Sequence, residues 1–359
     1  MMFDYENLYF AWKFTSAGKH GAANQAKYRY ELEERLYSLQ ERLMDGVYHP
    51  DELRIKHIYF PKRRVVQVPS VEDKIVQHAI CDGYLYQCIT RPLIKETFAC
   101  LRGRGERAAS QTITDQLRRF YRKHNKRPYI LKCDIRQYFA SIPHERLLQL
   151  VDRYVGDSGA KQVVEQFISL TDIGLPLGLQ QSQLLANLYL SEMDHYIKEK
   201  LHCKYYGRYM DDFYLMAESK EELEVALDWI STYVSNIGLE LNPKTNITYN
   251  HVDYLGFTYF MTKTGKVVRR LRKDKAKTQR RFLRKLAEQV GSGEVTPEKA
   301  GEKYLGWRKH ALKGDCRNLV RNMDQYFNQR LRKVGYAFRV VNKNEVKLWQ
   351  LSQRPRPER

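Results

Sequence analysis

Two short apolar and aromatic runs, Lys204 to Arg208 and Phe213 to Ala217, are separated by Tyr209-Met210-Asp211-Asp212. Two such runs flanking so short a polar segment read as a β-hairpin. Its turn presents two adjacent carboxylates. Neighbouring side chains on an extended strand point to opposite faces, so only a tight bend lets Asp211 and Asp212 serve one site or flank it. Carboxylates held that close are costly unless a cation neutralises them. Adjacent aspartates in a polar turn are also common as plain solvated features, so the rest of the chain has to discriminate.

Upstream, Tyr129-Ile130-Leu131-Lys132-Cys133-Asp134-Ile135 is a largely apolar strand with a single carboxylate near its end, followed by the aromatic pair Tyr138-Phe139. A strand that reads as buried rarely carries an unpaired acid without a use for it. Asp134 with the Asp211/Asp212 turn makes three acidic groups, the set that Mg²⁺ prefers when substrate phosphates complete its shell. This is the layout of a two-metal phosphoryl-transfer centre, where one ion activates an attacking hydroxyl and the other stabilises the leaving oxygen.

Other segments fill in the architecture. Leu32, Leu36, Leu39 and Leu43 recur on one face of a helix within residues 22 to 45. Leu53, Ile55, Ile58 and Phe60, then Val65, Val66 and Val68, alternate around Pro61-Lys62-Arg63-Arg64, which predicts a hairpin with a basic turn placed to reach phosphates. Val71 to Leu93, a segment beginning near Ala108, Arg146 to Val155, Ala160 to Leu170, Ser182 to Lys200, Ala276 to Gln289 and Thr296 to Leu312 read as helices. Helices alternating with a few antiparallel strands predict an α+β fold.

The chain has 62 Lys and Arg against 42 Asp and Glu, a formal charge of +20, which suits a polyanionic partner but would equally suit a ribosomal protein. Its 359 residues, 43% hydrophobic and with 26 tyrosines, argue for a folded chain of two or three subdomains rather than a disordered basic one. No apolar run reaches membrane-spanning length and the start, with Asp4 and Glu6, is unlike a signal peptide, so no membrane partner and a cytoplasmic location are expected. Cys81, Cys88, Cys100, Cys133, Cys203 and Cys316 lack Cys-x-x-Cys spacing; reduced, mostly buried thiols are expected rather than zinc ligands.

Taken in order, Asp134 with Phe139, then Gly174-Leu175-Pro176-Leu177-Gly178-Leu179-Gln180-Gln181-Ser182-Gln183, then Tyr209 to Asp212, then Tyr254-Leu255-Gly256-Phe257 resemble the motif series of reverse transcriptases. Gly178 to Gln183 resembles the Gly-x-x-x-Ser-Gln motif of bacterial retroelement enzymes, above all those of diversity-generating retroelements, where retroviral enzymes have Ser-Pro. Pro61 to Arg64, Asp73 to Ala79 and Phe98 to Gly105 resemble that group's N-terminal blocks. The likeness runs from about residue 8 to about residue 325.

The resemblance implies a right-hand polymerase: residues 1–128 as N-terminal region and fingers, 129–260 as an antiparallel palm with inserted fingers helices around 145–185, and 261–359 as a basic helical thumb and tail. It implies RNA-directed DNA synthesis, with RNA template, primer strand, RNA–DNA duplex and deoxynucleotides as partners and two Mg²⁺ ions, replaceable by Mn²⁺. Asp134 and Asp211 correspond to the metal-binding acids, Asp212 to a supporting one, and the Ile135 carbonyl to a backbone ligand. Phe139 corresponds to the ring that excludes a 2′-hydroxyl, Lys62 and Arg64 to fingers contacts with the triphosphate, and Lys244 to a donor for departing pyrophosphate. Gly178 would let the backbone approach nucleotide or template; Ser182 and Gln183 would open the next helix and bond the strand there, a capping serine being the plainer role. Tyr209, Gly256, Arg269, Arg270, Arg272 and Lys273 would contact nucleic acid, the last four as part of a basic helical stretch over 266 to 285 that suits phosphate backbones.

Leu177 departs from the retroviral pattern, which has glutamine before this glycine; an aliphatic residue cannot hydrogen-bond the nucleotide, and looser base discrimination is expected. Three rivals have distinct signatures. An RNA-dependent RNA polymerase usually has a small or polar residue where Phe139 stands. A group II intron enzyme prefers Ala at Met210 and carries a further DNA-binding or endonuclease region, for which the tail leaves little room. An RNA-binding scaffold with a relic palm is disfavoured by acids at all three positions. Similar bacterial enzymes serve diversification, with a template RNA and a basic accessory protein, or antiphage defence with a dedicated non-coding RNA.

Overall fold

The computed structural model describes residues 2–17, 28–58, 63–342 and 345–351. They are grouped into two compact units, one of residues Met1–Ile113 with Tyr129–Ile247 and the other of Thr114–Pro128 with Thr248–Arg359. Residues 1–113 thus share a compact unit with the segment from 129 to 247, and residues 114–128 group with the segment from 248. The physical reason is a shared core, in which Ile75, Val76 and Ile80 join Leu131, Cys133, Phe213 and Leu215.

In the first unit, the alternating segments pair as an antiparallel hairpin of β1 (Arg54–Ile58) and β2 (Arg64–Val68), with Arg54 opposite Val68 and Ile58 opposite Arg64. All five β1 residues are exposed, so the alternation marks strands without a buried face. The helix Val71–Ile80 starts on a capping box, Asp73 N–H donating to Ser70 Oγ at 3.1 Å and Ser70 N–H to Asp73 Oδ2 at 3.3 Å. It continues through a π turn, Cys81–Leu85, to Tyr86–Thr90, where an unbroken helix was expected.

The central sheet comprises β3 (Tyr129–Asp134), β4 (Tyr205–Tyr209), β5 (Asp212–Ala217) and β6 (Asn246–Tyr249) in the order β4-β5-β3-β6. β3 and β5 are antiparallel in register from Tyr129 opposite Ala217 to Asp134 opposite Asp212. The helix Lys220–Asn236 packs on this pair through Leu223, Ala226, Ile230 and Val234, spaced for one helical face. Helices His144–Tyr154 and Ser158–Ile168 add Leu147, Val151, Val164 and Phe167 to the core. The helix expected from Ser182 to Lys200 begins instead at Gln180 and is divided into Gln180–Tyr189, Ser191–His195 and a π turn at Tyr196–Lys200.

The second unit contains the meander β7 (His251–Tyr254), β8 (Phe257–Met261) and β9 (Val267–Leu271). Helices Lys273–Gly291, Pro297–Ala311 and Arg317–Arg332 follow, then the hairpin β10 (Tyr336–Asn342) and β11 (Glu345–Gln350). Leu283, Leu286, Val290, Tyr304, Phe327, Leu331 and Phe338 form its core. The basic stretch expected to be helical over 266 to 285 is therefore strand up to Leu271: Val267 and Leu271 turn inward while β9 pairs with β8. Among the described residues no helix is long and apolar enough to cross a membrane. All six cysteines are free; Cys81, Cys133 and Cys316 are buried and Cys100 is exposed.

Candidate active site

The β4–β5 hairpin closes with Tyr209 opposite Asp212, so Met210 and Asp211 are a two-residue turn. Met210 has φ +62°, a conformation that costs a non-glycine residue about 1–3 kcal/mol and persists only when its surroundings enforce it. Arg208 provides the enforcement. Its Nη1 donates to the Met210 carbonyl at 3.0 Å, while Nε and Nη2 bond the two Asp194 oxygens at 2.8 and 2.6 Å and Nη2 also reaches the Asn187 carbonyl at 3.1 Å. Arg208 and Asp194 are both fully buried. Thr97 Oγ1 at 2.9 Å and Tyr206 OH at 2.5 Å complete the donors to Asp194, so the buried pair is hydrogen-bonded on both sides.

This turn brings Asp211 beside Asp134, which faces Asp212 across the β3–β5 pair. Burial first, and the Asp134 charge second, raise the Asp211 carboxyl above its ordinary range. Burial also raises Asp212, to about 6, although the Lys132 ammonium works against it. Asp212 is ion-paired to Lys132. Asp134 Oδ2 accepts from Asn242 Nδ2 at 2.9 Å, and the Asp134 carbonyl accepts from Asn242 N–H at 2.7 Å. Among the described residues no three His, Cys, Asp or Glu side chains converge as a ready metal-ligand group. Of the expected set Asp134, Asp211 and Asp212, Asp212 is the one held in an ion pair, with Lys132. Asp134 and Asp211 remain, and two carboxylates plus substrate phosphates suffice for Mg²⁺. Ile135 is buried and bridges to Leu241.

Around these acids the other expected residues take varied places. Tyr138 is the buried wedge, its hydroxyl donating to the Ala186 carbonyl at 2.5 Å, and Phe139 is left half-buried and edge-on to it at 5.8 Å. The Phe139 carbonyl accepts from Leu175 N–H at 2.6 Å, an approach that depends on Gly174, where a Cβ would lie 2.6 Å from that carbonyl oxygen. Leu177 is 40% exposed and its carbonyl accepts from Gln67 N–H at 2.8 Å. Gly178, at φ +132°, lies against β2: an added Cβ would be 2.1 Å from the Gln67 carbonyl oxygen. The close approach that this glycine permits is therefore to the β1–β2 hairpin.

Ser182 corrects its expected capping role. Leu179 is the N-cap of the helix, and Ser182, in its first turn, is buried with no hydrogen-bond partner for its hydroxyl among the described residues. The bonds come from its neighbours: Gln181 N–H donates to Gln77 Oε1 at 2.9 Å and Gln180 Nε2 to Asp82 Oδ1 at 2.5 Å. Gln183 is exposed. Arg64 is exposed on β2, and Lys62 lies outside the described residues. Lys244 is exposed, and its N–H donates to Asn242 Oδ1 at 3.1 Å. Tyr209 is half-buried.

Gly256 and the four basic residues belong to the second unit. Leu255 and Gly256, at φ +49° and +82°, form the two-residue turn between β7 and β8. Arg269 stacks over Phe257 with 4.1 Å to the ring centroid, and Arg270 over Phe260 at 5.4 Å. Both border a cavity of about 890 Å³ that Lys313 and Arg317 also line. Arg272 pairs with Asp274 at 3.0 Å, and Lys273, exposed, begins the next helix.

The family model described as reverse transcriptase (RNA-dependent DNA polymerase) matches residues 58–259, over half of the chain and the whole acidic centre. The chain belongs to the reverse transcriptase family. Among curated relatives it is 26% identical to the group II intron-encoded protein LtrA of Lactococcus lactis subsp. cremoris over 46% of this chain and 28% of LtrA. It is 26% identical to protein YkfC of Escherichia coli over 52% of both, and 22% identical to the retron Ec73 reverse transcriptase of Escherichia coli over 49% of this chain and 56% of that protein. The chain thus spans between about a fifth and just over half of the curated relatives it matches. Among solved structures, telomerase from Candida albicans in complex with a telomeric RNA fragment aligns with a TM-score of 0.48 at 12% identity, over 85% of this chain and 64% of that one.

For this reverse transcriptase family member, three residues of the centre escaped sequence reasoning. Lys132, Asn242 and Arg208 contact Asp212, Asp134 and the Met210 carbonyl through positions set by strand pairing or the core. Lys132 alone had a local signal, two residues before Asp134 on a strand and hence on the same face.

Proposed function

We propose that the chain is an RNA-directed DNA polymerase that adds deoxynucleotides to a primer on an RNA template. The observation that carries this is the register of β3, β4 and β5, which sets Asp134 opposite Asp212 and puts Asp211 in the turn beside them. Asp134 and Asp211 are the residues that would hold divalent metal, Mg²⁺ or Mn²⁺. Such ions supply activation of the primer 3′-hydroxyl and neutralise charge on the α-phosphate and on departing pyrophosphate. Asn242 orients Asp134 and Arg208 fixes the turn that carries Asp211; half-buried Phe139 would supply the ring that excludes a ribose 2′-hydroxyl. Leu177 and Gly178 lie against β2 at Gln67; they and Arg64 would meet the incoming nucleotide, as would Lys62, which lies outside the described residues. Arg269, Arg270, Arg272 and Lys273 would hold phosphates of the template-primer duplex as a thumb. The segments 1–128, 129–260 and 261–359 remain the functional divisions of fingers, palm and thumb in this proposal.

Within the family, the Gly178 to Gln183 sequence favours a diversity-generating type of bacterial retroelement over an antiphage-defence enzyme with its own non-coding RNA. The exposed aliphatic Leu177 fits the low fidelity such a role requires.

Primer extension on an RNA template, with dNTPs or NTPs, tests the chemistry. Asp211→Ala should abolish extension while RNA binding stays near native, and only dNTPs should be used. Native-rate extension by Asp211→Ala refutes the assignment. Leu177→Gln should lower misincorporation; an unchanged error spectrum removes the support that Leu177 gives to the diversifying type.

A further inference from the structure

Side chains alternate along β3, so Lys132 and Asp134 leave the sheet on one face, and the register sets Tyr214 and Asp212 opposite them. The Lys132 side chain is only 16% exposed and that of Asp212 27%. The ammonium is ion-paired with Asp212 Oδ1 and lies 3.3 Å from the Cys133 carbonyl, to which it donates. A lysine on a solvated surface keeps its head in water; this one donates to the Asp212 carboxylate and the Cys133 carbonyl. Asp134 is meanwhile oriented by Asn242, and Asp211 is carried by the turn that Arg208 fixes.

We propose that Lys132 is a built-in counter-ion of the acidic centre, which holds Asp212 out of the metal-ligand set and leaves Asp134 and Asp211 to take the divalent ions. The proposal rests on the polymerase reading for the existence of that metal site. Its physical basis is competition for one carboxylate. Three acids without a cation repel one another, and a fixed ammonium removes part of that repulsion before any ion binds. The same positive charge opposes a divalent ion placed beside it. The centre therefore binds metal weakly by itself and gains the rest of its ligands from a triphosphate. Lys132 is on this account a positioning residue, and Asp212 is its anchor.

The test is Mn²⁺ binding to the full chain without nucleotide or nucleic acid, read from the electron paramagnetic resonance signal of the free ion. Lys132→Met should tighten Mn²⁺ binding about tenfold, the order of effect of removing one unit charge a few ångströms from the ion in an intermediate dielectric. Asp212→Asn should weaken it by a comparable factor, through the loss of one nearby negative charge, and by much less than Asp211→Asn, since the Asp212 carboxylate is not a ligand. Lys132→Met could unfold the chain by leaving a partly buried acid unpaired, so the double variant Lys132→Met/Asp212→Asn, which removes both charges together, provides a second arm. It should bind Mn²⁺ as the native chain does. A loss of affinity in Asp212→Asn as large as that in Asp211→Asn, or a loss in the double variant, overturns the role of Lys132. Native-like Mn²⁺ binding by Asp211→Asn overturns the metal-site reading itself, and the inference with it.

Discussion

Replacing Arg208 by Met probes how the turn that carries Asp211 is held. The native guanidinium makes bonds to both Asp194 oxygens, to the Asn187 and Met210 carbonyls and, at 3.3 Å, to Asn187 Oδ1, all at full burial. Met fills similar volume but leaves Asp194 with only the Thr97 and Tyr206 hydroxyls as donors. Removing one member of a buried, hydrogen-bonded ion pair costs about 3–5 kcal/mol, a large share of the ~5–15 kcal/mol that keeps a typical domain folded. Urea denaturation followed by far-UV circular dichroism should therefore show a midpoint far below native. Arg208→Lys retains the charge but cannot reach Asp194, Asn187 and Met210 together, so it should unfold at a smaller penalty while primer extension falls in kcat rather than in KM. The double variant Arg208→Met/Asp194→Leu should cost less than the two single changes added, because the lone buried charge is gone. If Arg208→Met stayed within about 0.5 kcal/mol of native, the pair would not be what holds the turn.

Three further outcomes follow from the site. Carboxyls whose folded-state pKa is raised bind protons more tightly in the folded chain, so the metal-free protein should lose stability as pH rises from the usual carboxylate range near 4 through about 6, where Asp212 ionises. Asp211→Asn should accordingly raise the melting temperature at pH 8 and much less at pH 5 in chelator; equal shifts at both pH values contradict this. Gly178→Ala places a Cβ against the Gln67 carbonyl and endangers the Gln67–Leu177 bond, for which backbone strain and the lost bond together give about 2–4 kcal/mol; a thermal melt matching native would refute the close approach. Asn242→Ala removes the side-chain bond to Asp134 and should cost about 1 kcal/mol of stability while lowering kcat with little change in KM for dNTP; steady-state kinetics with unchanged kcat would show that Asp134 needs no such support.

Much of the centre was legible because its parts are local. The hairpin around Asp211 and Asp212 follows from two β-prone runs and a short polar break, and β3 from an apolar run ending in one acid. Most helices follow from the spacing of leucines and valines. Less legible were the interruptions: the π turns at Cys81–Leu85 and Tyr196–Lys200 leave no mark in apolar periodicity. The basic stretch before Lys273 misled because charge density carries no period, while the inward Val267 and Leu271, four apart, suit a strand as well as a helix.

The sequence alone determined that three acids would stand on antiparallel strands and the turn between two of them, in a strongly basic α+β chain, because hydrophobic alternation and turn residues are short-range properties. Only the tertiary structure decided which partners those acids have. Lys132 meets Asp212 through the β3–β5 register, Asn242 reaches Asp134 from over a hundred residues away, and Arg208 holds the turn through Asp194 and Asn187 in a distant helical segment. Charges inside a protein are set by their neighbours in space, and strand register and core packing choose those neighbours.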